Sequence, residues 1–192
     1  MRHDSLLTAV RWSHHVLAPR LLDGDVVVDM TAGNGHDTLF LAQHVLPRGR
    51  VFAFDVQAEA VEATRLRISE SEGVTLIHAG HEDFASHLPV EQKEKVRAFM
   101  FNLGFLPGGD KALITRTETT LRALREACEW LAEDGLITVV AYPGHEAGRT
   151  EADAVEQWMS ALPSDKFETQ RIGFLNFRAT TPFLMVLRKR TP

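Results

Sequence analysis

Short apolar runs alternate with amphipathic stretches along most of this chain, and this alternation constrains the fold more than any other feature. Runs rich in β-branched and aromatic residues at 25–29, 50–55, 74–78, 96–101 and 136–141 predict five strands. Stretches at 36–45, 57–70 and 115–132 place apolar residues at the helical period. This order is typical of a parallel sheet covered by helices on both faces.

The two ends of the chain add elements to this pattern. An opening helix is predicted over 5–18 and stops at Pro19, and another helix is predicted over 147–161. Two last strands, at about 166–174 and 182–189, are joined by a short segment from Asn176 to Thr181 without a helix. So short a connection forces antiparallel pairing. We therefore predict a doubly wound α/β fold with a seven-stranded, mostly parallel sheet and one antiparallel strand near an edge.

Length and composition narrow the setting. The 192 residues fit one domain spanning 1–192, and the single cysteine, Cys128, rules out an internal disulfide. The formal net charge of −5 argues against charge-driven coating of nucleic acid, although basic residues gather late in the chain. The first residues lack the apolar core of a signal peptide, and no apolar run is long enough to span a membrane. We expect a cytoplasmic protein.

A glycine-containing turn, Asp29-Met-Thr-Ala-Gly33-Asn-Gly35-His-Asp-Thr38, follows the first predicted strand. Ligands of such sheets bind outside the carboxyl ends of the strands, and Gly33 and Gly35 permit close backbone approach. Asp29 could accept hydrogen bonds from a ligand amine or order the loop. Asp55, at the end of the next strand, could accept both ribose hydroxyls of an adenosyl group.

Two cofactors compete for this turn. A dinucleotide site needs a third glycine where this chain has Thr38, and Asp37 would repel a pyrophosphate. S-adenosylmethionine lacks phosphate and carries a sulfonium and an ammonium, which acidic residues suit. We favour S-adenosylmethionine; a dinucleotide, or a turn that binds nothing, is the alternative. The candidate cofactor-binding residues are Asp29, Thr31, Gly33, Asn34, Gly35, His36, Asp37, Thr38, Asp55, Gln57, His81, Glu82 and Asn102.

Histidines accompany two of the predicted elements. His81 and Glu82 follow the third strand and are expected to line the adenine side or to cap a short helix. The spacing of His78 and His81 could suggest a metal, but no third ligand has a convincing position, so we expect no metal. His14 and His15, in the opening helix, are expected to pack or face solvent, with a lid role as the alternative.

The fourth strand runs into Asn102-Leu-Gly-Phe-Leu-Pro-Gly-Gly-Asp-Lys111, an irregular loop at the carboxyl end of a central strand. A carboxamide there could accept hydrogen bonds from an amine and aim its lone pair at the transferable methyl group. The loop resembles the Asn/Asp-Pro-Pro-aromatic loop of amino-methyltransferases, with Leu103 and Gly104 in place of the prolines. A purely structural turn is the alternative. The candidate substrate-binding residues are Gly104, Phe105, Gly108, Gly109, Asp110, Lys111 and Arg178.

The fifth strand ends in Tyr142-Pro-Gly-His145-Glu-Ala-Gly148. Tyr142 and His145 would open onto the same mouth as Asn102, and all three are candidate catalytic residues. His145 could take or relay a proton near neutral pH. Alternatively, His145 caps the next helix and Tyr142 only packs.

Together, the segments 29–38, 102–111 and 142–148 resemble the YtqB-type proteins, a family labelled as rRNA methylases and associated with MnmM-like methylation of 5-aminomethyl(-2-thio)uridine at the tRNA wobble position. The likeness spans nearly the whole chain and implies the Rossmann-like fold of class I methyltransferases. Phe105 stands where many relatives are expected to have Tyr. Stacking would survive this difference, whereas a hydroxyl hydrogen bond would not.

The resemblance implies a reaction in which S-adenosylmethionine methylates the primary amine of the wobble uridine to give the methylaminomethyl product. The expected partner is the tRNA anticodon loop, and the resemblance to the family also suggests a homodimer. Alternatives are a methyltransferase for rRNA or a small-molecule amine, a cofactor-binding module without catalysis, and a dinucleotide oxidoreductase.

Overall fold

A computed structural model describes residues 6–69, 71–104 and 115–191. The strands β1–β7 are, in chain order, Val26–Asp29, Arg50–Asp55, Val74–His78, Val96–Asn102, Leu131–Ala141, Phe167–Ile172 and Phe183–Lys189. The α-helices α1–α5 are Ala9–Leu17, His36–Val45, Ala58–Ile68, Thr117–Trp130 and Glu146–Ser160. Short 3₁₀ helices lie at Ala18–Arg20, His81–Ser86 and Val90–Gln92.

The strands form one seven-stranded sheet in the order β3-β2-β1-β4-β5-β7-β6. The neighbours from β3 through β5 pair in parallel, and β7 pairs antiparallel with both β5 and β6. The predicted arrangement, a mostly parallel α/β sheet with one antiparallel strand near an edge, is confirmed.

Two predicted boundaries were wrong. The helix predicted over 115–132 ends at Trp130, and β5 begins at Leu131 rather than at residue 136, because Leu131 already pairs with Val96 of β4. The opening helix begins at Ala9, after the non-helical residues 6–8, and residue 5 of the predicted span lies outside the described residues. Its start is fixed by Thr8, whose hydroxyl accepts a hydrogen bond from the Arg11 amide at 3.3 Å.

The sheet separates two apolar layers, because alternate side chains of each strand point to opposite faces. Phe99 and Phe101 of β4 pack into a layer with α4 and α5, whereas Ala98 and Met100 pack into a layer with α1 and α2. Both faces of the central strands are therefore buried, which explains their continuous apolar sequences.

The carboxyl ends of β1, β2, β4 and β5 meet at one edge of the sheet, which carries Asp29, Asp55, Asn102 and Ala141. The topology thus collects the polar strand ends predicted from the sequence in one place. Within the described ranges, no helix is long and apolar enough to cross a membrane.

Candidate functional site

The turn after β1 is held by hydrogen bonds from three sides. The Ala32 amide donates to the Phe54 carbonyl of β2 at 2.8 Å, and the Met30 amide donates to the Met100 carbonyl of β4 at 2.8 Å. From α3, the Thr64 hydroxyl donates to the Gly33 carbonyl at 3.1 Å. The turn is therefore shaped before any ligand arrives.

Gly35 is the residue that brings this turn close to α3. It caps α2 with a φ of 77°, and a Cβ there would lie 2.8 Å from the Cα of Thr64. A side chain would thus meet backbone atoms in a conformation that already disfavours it. The glycine lets the turn pack directly on the helix.

Asp29 orders the turn from within, which is one of the two roles considered for it. Its carboxylate is fully buried and accepts hydrogen bonds from the Thr31 amide at 3.1 Å and the Thr38 hydroxyl at 2.6 Å. Burial, together with the negative charge of Asp37, raises the pKa of Asp29 to about 7. A cation at this edge would relieve that accumulation of negative charge.

Asp55 connects the first two strand ends. One carboxylate oxygen accepts from the Gly33 amide and the other from the Gln57 amide, each at 2.9 Å. Asp55 is half-buried, and each carboxylate oxygen has a second lone pair. The carboxylate is thus oriented by the backbone and keeps acceptor capacity for a ligand hydroxyl.

Asp37, at the start of α2, links the opening helix to the end of β4. It is 5% exposed; its Oδ1 lies 2.6 Å from His14 Nε2, and its Oδ2 accepts from Asn102 Nδ2 at 3.3 Å. The His14 ring also stacks on Phe40, with ring centroids 4.0 Å apart. His14 therefore packs, as expected, and it also contacts the buried carboxylate at the start of α2, which the sequence did not predict.

Asn102 presents a polar atom that has no hydrogen-bond partner among the described residues. Its backbone amide donates to the Thr31 hydroxyl at 2.8 Å, which fixes the end of β4 against the β1 turn. Because an ionised carboxylate only accepts, the carboxamide nitrogen faces Asp37 and the oxygen points elsewhere. That Oδ1 atom is buried and accepts no hydrogen bond from the described residues. A buried acceptor of this kind calls for a donor, which a ligand could supply.

Tyr142 is the residue that follows β5. Its ring packs against Gly104, where a Cβ would lie 3.7 Å from Tyr142 Cδ2. Burial, followed by the negative charge of Asp37, raises the pKa of Tyr142, and the nearby Asn102 side chain partly offsets the rise. The phenol is thus neutral at ordinary pH and lies close to both groups.

A buried carboxylate that sequence reasoning missed, Glu151 of α5, supports the chain beyond Asn102. It is 3% exposed and accepts from the hydroxyls of Thr115 at 2.6 Å and Thr120 at 2.7 Å. The Thr115 hydroxyl accepts from the Gly104 amide at 2.9 Å, and the Thr115 amide donates to the Gly104 carbonyl at 3.0 Å. Gly104 and Thr115, the described residues that flank 105–114, are therefore clamped together and anchored to α5.

His81 extends this network on the α4 side. The ring is buried, with Nε2 3.5 Å from the Thr120 hydroxyl and its face near Phe101 at a centroid distance of 5.8 Å. Burial lowers the pKa of His81 and favours the neutral ring. It starts a 3₁₀ helix but makes no side-chain cap there. Glu82 is half-buried next to Gly80.

His145 takes the capping geometry that was one of its two expected roles. Its Nδ1 accepts from the Gly148 amide at 3.0 Å at the start of α5. In a neutral imidazole that accepts through Nδ1, the proton resides on Nε2. The ring could therefore not take up a second proton without losing this cap.

Several other predicted residues lie apart from this cluster or outside the described residues. His36 is exposed, Asn34 is half-buried with its carbonyl accepting from Arg67 Nε, and Arg178 is exposed in the connection between β6 and β7. Phe105, Gly108, Gly109, Asp110 and Lys111 lie outside the described residues. No group of three or more potential metal-ligating His, Cys, Asp or Glu side chains occurs in the ranges that are described.

Comparison with known proteins agrees with this arrangement. The family model described as "Putative rRNA methylase" matches residues 51–188. A chloroplastic tRNA (mnm(5)s(2)U34)-methyltransferase from Arabidopsis thaliana is 36% identical over 193 residues, which cover 95% of this chain and 69% of that protein.

Two solved structures share both fold and sequence with this chain. A protein from Clostridium thermocellum described as an rRNA methylase superposes with a TM-score of 0.91 at 38% identity, covering 96% of this chain and 99% of that one. A Streptococcus mutans protein described as a methyltransferase, solved in complex with SAH, gives a TM-score of 0.86 at 32% identity, with the same coverage of both chains.

The seven-stranded sheet, with its acidic turn after β1 and its polar end of β4, defines a class I, S-adenosylmethionine-dependent methyltransferase. Within that class, the chain belongs to the rRNA methylase family.

Proposed function

We propose that this chain transfers a methyl group from S-adenosylmethionine to the primary amine of 5-aminomethyl(-2-thio)uridine at the wobble position of tRNA, giving the methylaminomethyl nucleoside. The observation that carries the proposal is the buried Oδ1 of Asn102 at the carboxyl end of β4, which accepts no hydrogen bond from the described residues. The tRNA substrate is supported by the Arabidopsis relative, which is named for this wobble modification.

The acidic turn suits the cofactor, which supplies an electrophilic methyl group on a positively charged sulfur. Asp55 would bind the ribose hydroxyls, with its carboxylate aimed by the Gly33 and Gln57 amides. Asp29 and Asp37 would complement the positive charge. Gly33 and Gly35 would let the backbone approach the ligand, and His81 and Glu82 would lie toward the adenine.

The acceptor amine sets the chemical problem for the protein. An alkylammonium titrates near pH 10.4, so such a substrate arrives mostly charged and without a lone pair. The oxygen of Asn102 would accept a hydrogen bond from the amine and aim its lone pair, so that the new C–N bond forms in line as the C–S bond breaks. One proton must leave the nitrogen.

The proton has two routes, water and the Asp37–His14 pair. Asp37 contacts Asn102 directly, and His14 is partly exposed, so the pair connects the reacting end of β4 with solvent. A relay through His145 would require release of the Gly148 amide from Nδ1. We therefore assign the proton transfer to the Asp37–His14 pair ahead of His145. Tyr142 would pack against the acceptor base.

The RNA would offer an unpaired base of the anticodon loop, because the wobble amine is accessible only when the base leaves its stack. Tyr142, whose side chain lies close to that of Asn102, is the described stacking candidate, with Phe105 as a further candidate from the sequence. We also propose that the protein acts in the cytoplasm and works as a homodimer; both follow from the sequence analysis and the family resemblance.

The test is methyl transfer from labelled S-adenosylmethionine to bulk tRNA that lacks this modification, followed by nucleoside mass spectrometry. A gain of one methyl on aminomethyluridine is expected. Binding of the cofactor without transfer to tRNA, and with transfer to rRNA or to a small-molecule amine, would overturn the substrate assignment while leaving the methyltransferase class intact.

A further inference from the structure

The connection between β6 and β7, residues 173–182, projects from the same edge of the sheet as the candidate site. Phe183, the first residue of β7, pairs with Ala141 at the end of β5, and Asn102 pairs with the adjacent Val140. The connection also passes close to the turn that follows Tyr142, since a Cβ on Gly144 would lie 3.8 Å from the Thr180 carbonyl. These ten residues therefore border the mouth that contains Asn102.

This connection exposes large apolar side chains. Leu175 is 103% exposed and Phe177 is 57% exposed. By contrast, the phenylalanines of β2 and β4 are buried in the core. The Phe177 ring stacks on Phe174, with centroids 4.4 Å apart and an angle of 15° between the planes. The stacked pair presents a flat aromatic face at the rim of the site rather than a single stray side chain.

The charge of the connection favours a polyanion. Residues 173–182 contain Arg178 and no Asp or Glu. Arg178 forms no ion pair with any residue in the described ranges, whereas Arg171 of β6 is engaged by Glu156 at 3.3 Å and by the Phe183 ring at 4.0 Å. An available guanidinium next to an exposed aromatic pair is the combination that binds single-stranded nucleic acid.

We propose that residues 173–182 form an RNA-binding rim, in which the Phe174–Phe177 pair stacks an unpaired base next to the target nucleotide and Arg178 binds a phosphate. Every base has a π-face, so the rim would hold the loop without reading its sequence. Target choice would remain with the pocket at Asn102. The inference rests on the proposed function, because it takes an RNA loop as the substrate.

The rim also explains how an acidic protein could bind RNA. The whole chain has a formal net charge of −5, so broad electrostatic attraction is absent. Stacking on an aromatic pair supplies binding that does not depend on net charge, and one well-placed arginine adds a local phosphate contact. Binding should therefore have a shallow salt dependence.

The experiment measures binding of a fluorescent anticodon stem-loop RNA to the full chain by anisotropy at several salt concentrations. Phe177→Ala should weaken binding roughly tenfold, and Phe177→Trp should restore it, because a stacked base contributes on that scale. Arg178→Ala should reduce the salt slope by about one. The matched control is Leu66→Ala on α3, since Leu66 is 73% exposed and lies in another element.

Cofactor titration and sedimentation of each variant make the outcomes distinct. Unchanged RNA affinity in Phe177→Ala would overturn the rim. Loss of a dimer in that variant with unchanged RNA affinity would also overturn it and identify the surface as a contact between copies. Weakened RNA binding by Phe177→Ala, with no methyl transfer to tRNA by the unaltered chain, would support the rim and reject the proposed wobble substrate.

Discussion

His14 Nε2 lies 2.6 Å from Asp37 Oδ1, and this contact joins the first helix to the start of the second, across 23 residues of sequence. Asp37 is buried, so its carboxylate oxygens rely for hydrogen bonds on the few donors that reach them. The same carboxylate holds the Asn102 amide. A change on α1 should therefore be felt at the carboxyl end of β4.

Replacement of His14 tests this link. His14→Ala should lower methyl transfer roughly tenfold and destabilise the fold by about 1–2 kcal/mol, because a buried carboxylate loses a donor. His15→Ala is the control, since the neighbouring ring is exposed and contacts only Trp12 at a centroid distance of 5.4 Å among the aromatic contacts described. Thermal unfolding and turnover measure the two effects. Equal behaviour of the two variants would contradict the link.

Asn102→Ala should separate catalysis from cofactor binding. Loss of the carboxamide removes the proposed acceptor of the amine, and misplacement of a reacting group costs on the order of a hundredfold in turnover. Its backbone bond to Thr31 would remain, so the turn should be kept and cofactor affinity should fall far less than turnover. Turnover and calorimetric titration of the cofactor check this expectation. Near-normal turnover with unchanged affinity would rule out the role given to Asn102.

Asp29→Asn should change how stability depends on pH. The pKa of Asp29 rises from 3.8 to about 7 on folding, so ionisation of this group destabilises the fold as pH increases through that window. Asp29→Asn removes this penalty. Its free energy of unfolding should therefore rise relative to that of the unaltered chain by on the order of 1–4 kcal/mol as the pH increases from about 4 to 8. Urea unfolding at several pH values measures this difference.

Asp23→Asn provides the opposite control for that series. Asp23 is exposed, and hydrogen bonds from Arg48 lower its pKa, so its contribution is already complete at mildly acidic pH. The stability difference for this variant should stay flat above about pH 5. A flat difference for Asp29→Asn as well would show that Asp29 does not titrate in this range.

Glu151 should matter for both stability and RNA use. Glu151→Ala leaves the Thr115 and Thr120 hydroxyls without their acceptor and should lower the free energy of unfolding by about 1–3 kcal/mol. The KM for tRNA should rise, because Gly104 and Thr115 lose their anchor. Glu151→Gln keeps one acceptor and should be milder. Thr150→Ala is the neighbouring control, since Thr150 is exposed and donates only within its own helix. A loss of stability with unchanged KM would restrict Glu151 to a structural role.

Gly35→Ala should damage the cofactor turn more than an equivalent change elsewhere. A left-handed non-glycine residue costs about 1–2 kcal/mol, and here the new Cβ would also collide with α3. Gly24→Ala has a φ of 106° and no atom within 4 Å of the added carbon, so it shares the backbone strain without the collision. The free energy of unfolding and the cofactor affinity should therefore fall further in Gly35→Ala than in Gly24→Ala. Equal losses in both variants would mean that close packing of the turn on α3 is unimportant.

The sheet could be predicted from the sequence because its signals are local. β-branched and aromatic runs identify strands, and a short connection between the last two strands leaves antiparallel pairing as the only solution. The end of α4 was misplaced because Leu131 is as apolar in a helix as in a strand. Only its pairing with Val96 distinguishes the two.

The site was predicted where polar residues terminate strands, as with Asp29, Asp55 and Asn102. The contact of His14 with Asp37 was not predicted, because the two residues lie on different helices and nothing local marks the pair. Glu151 left a usable signal. It shares the helical spacing of the buried residues Gly148, Ala152, Val155 and Met159, so the helical period could have placed this carboxylate on the apolar side of α5.

The position of β7 between β5 and β6 has a consequence for how the chain acquires its structure. During synthesis β6 emerges before β7, and within the described sheet its hydrogen-bonding neighbour is β7. Until that later strand is inserted, β6 is an unpaired edge and β5 exposes the side that will receive β7. Strand β6 can therefore join the sheet only together with β7 or after it, and the same step completes the wall from which the proposed RNA-binding rim projects.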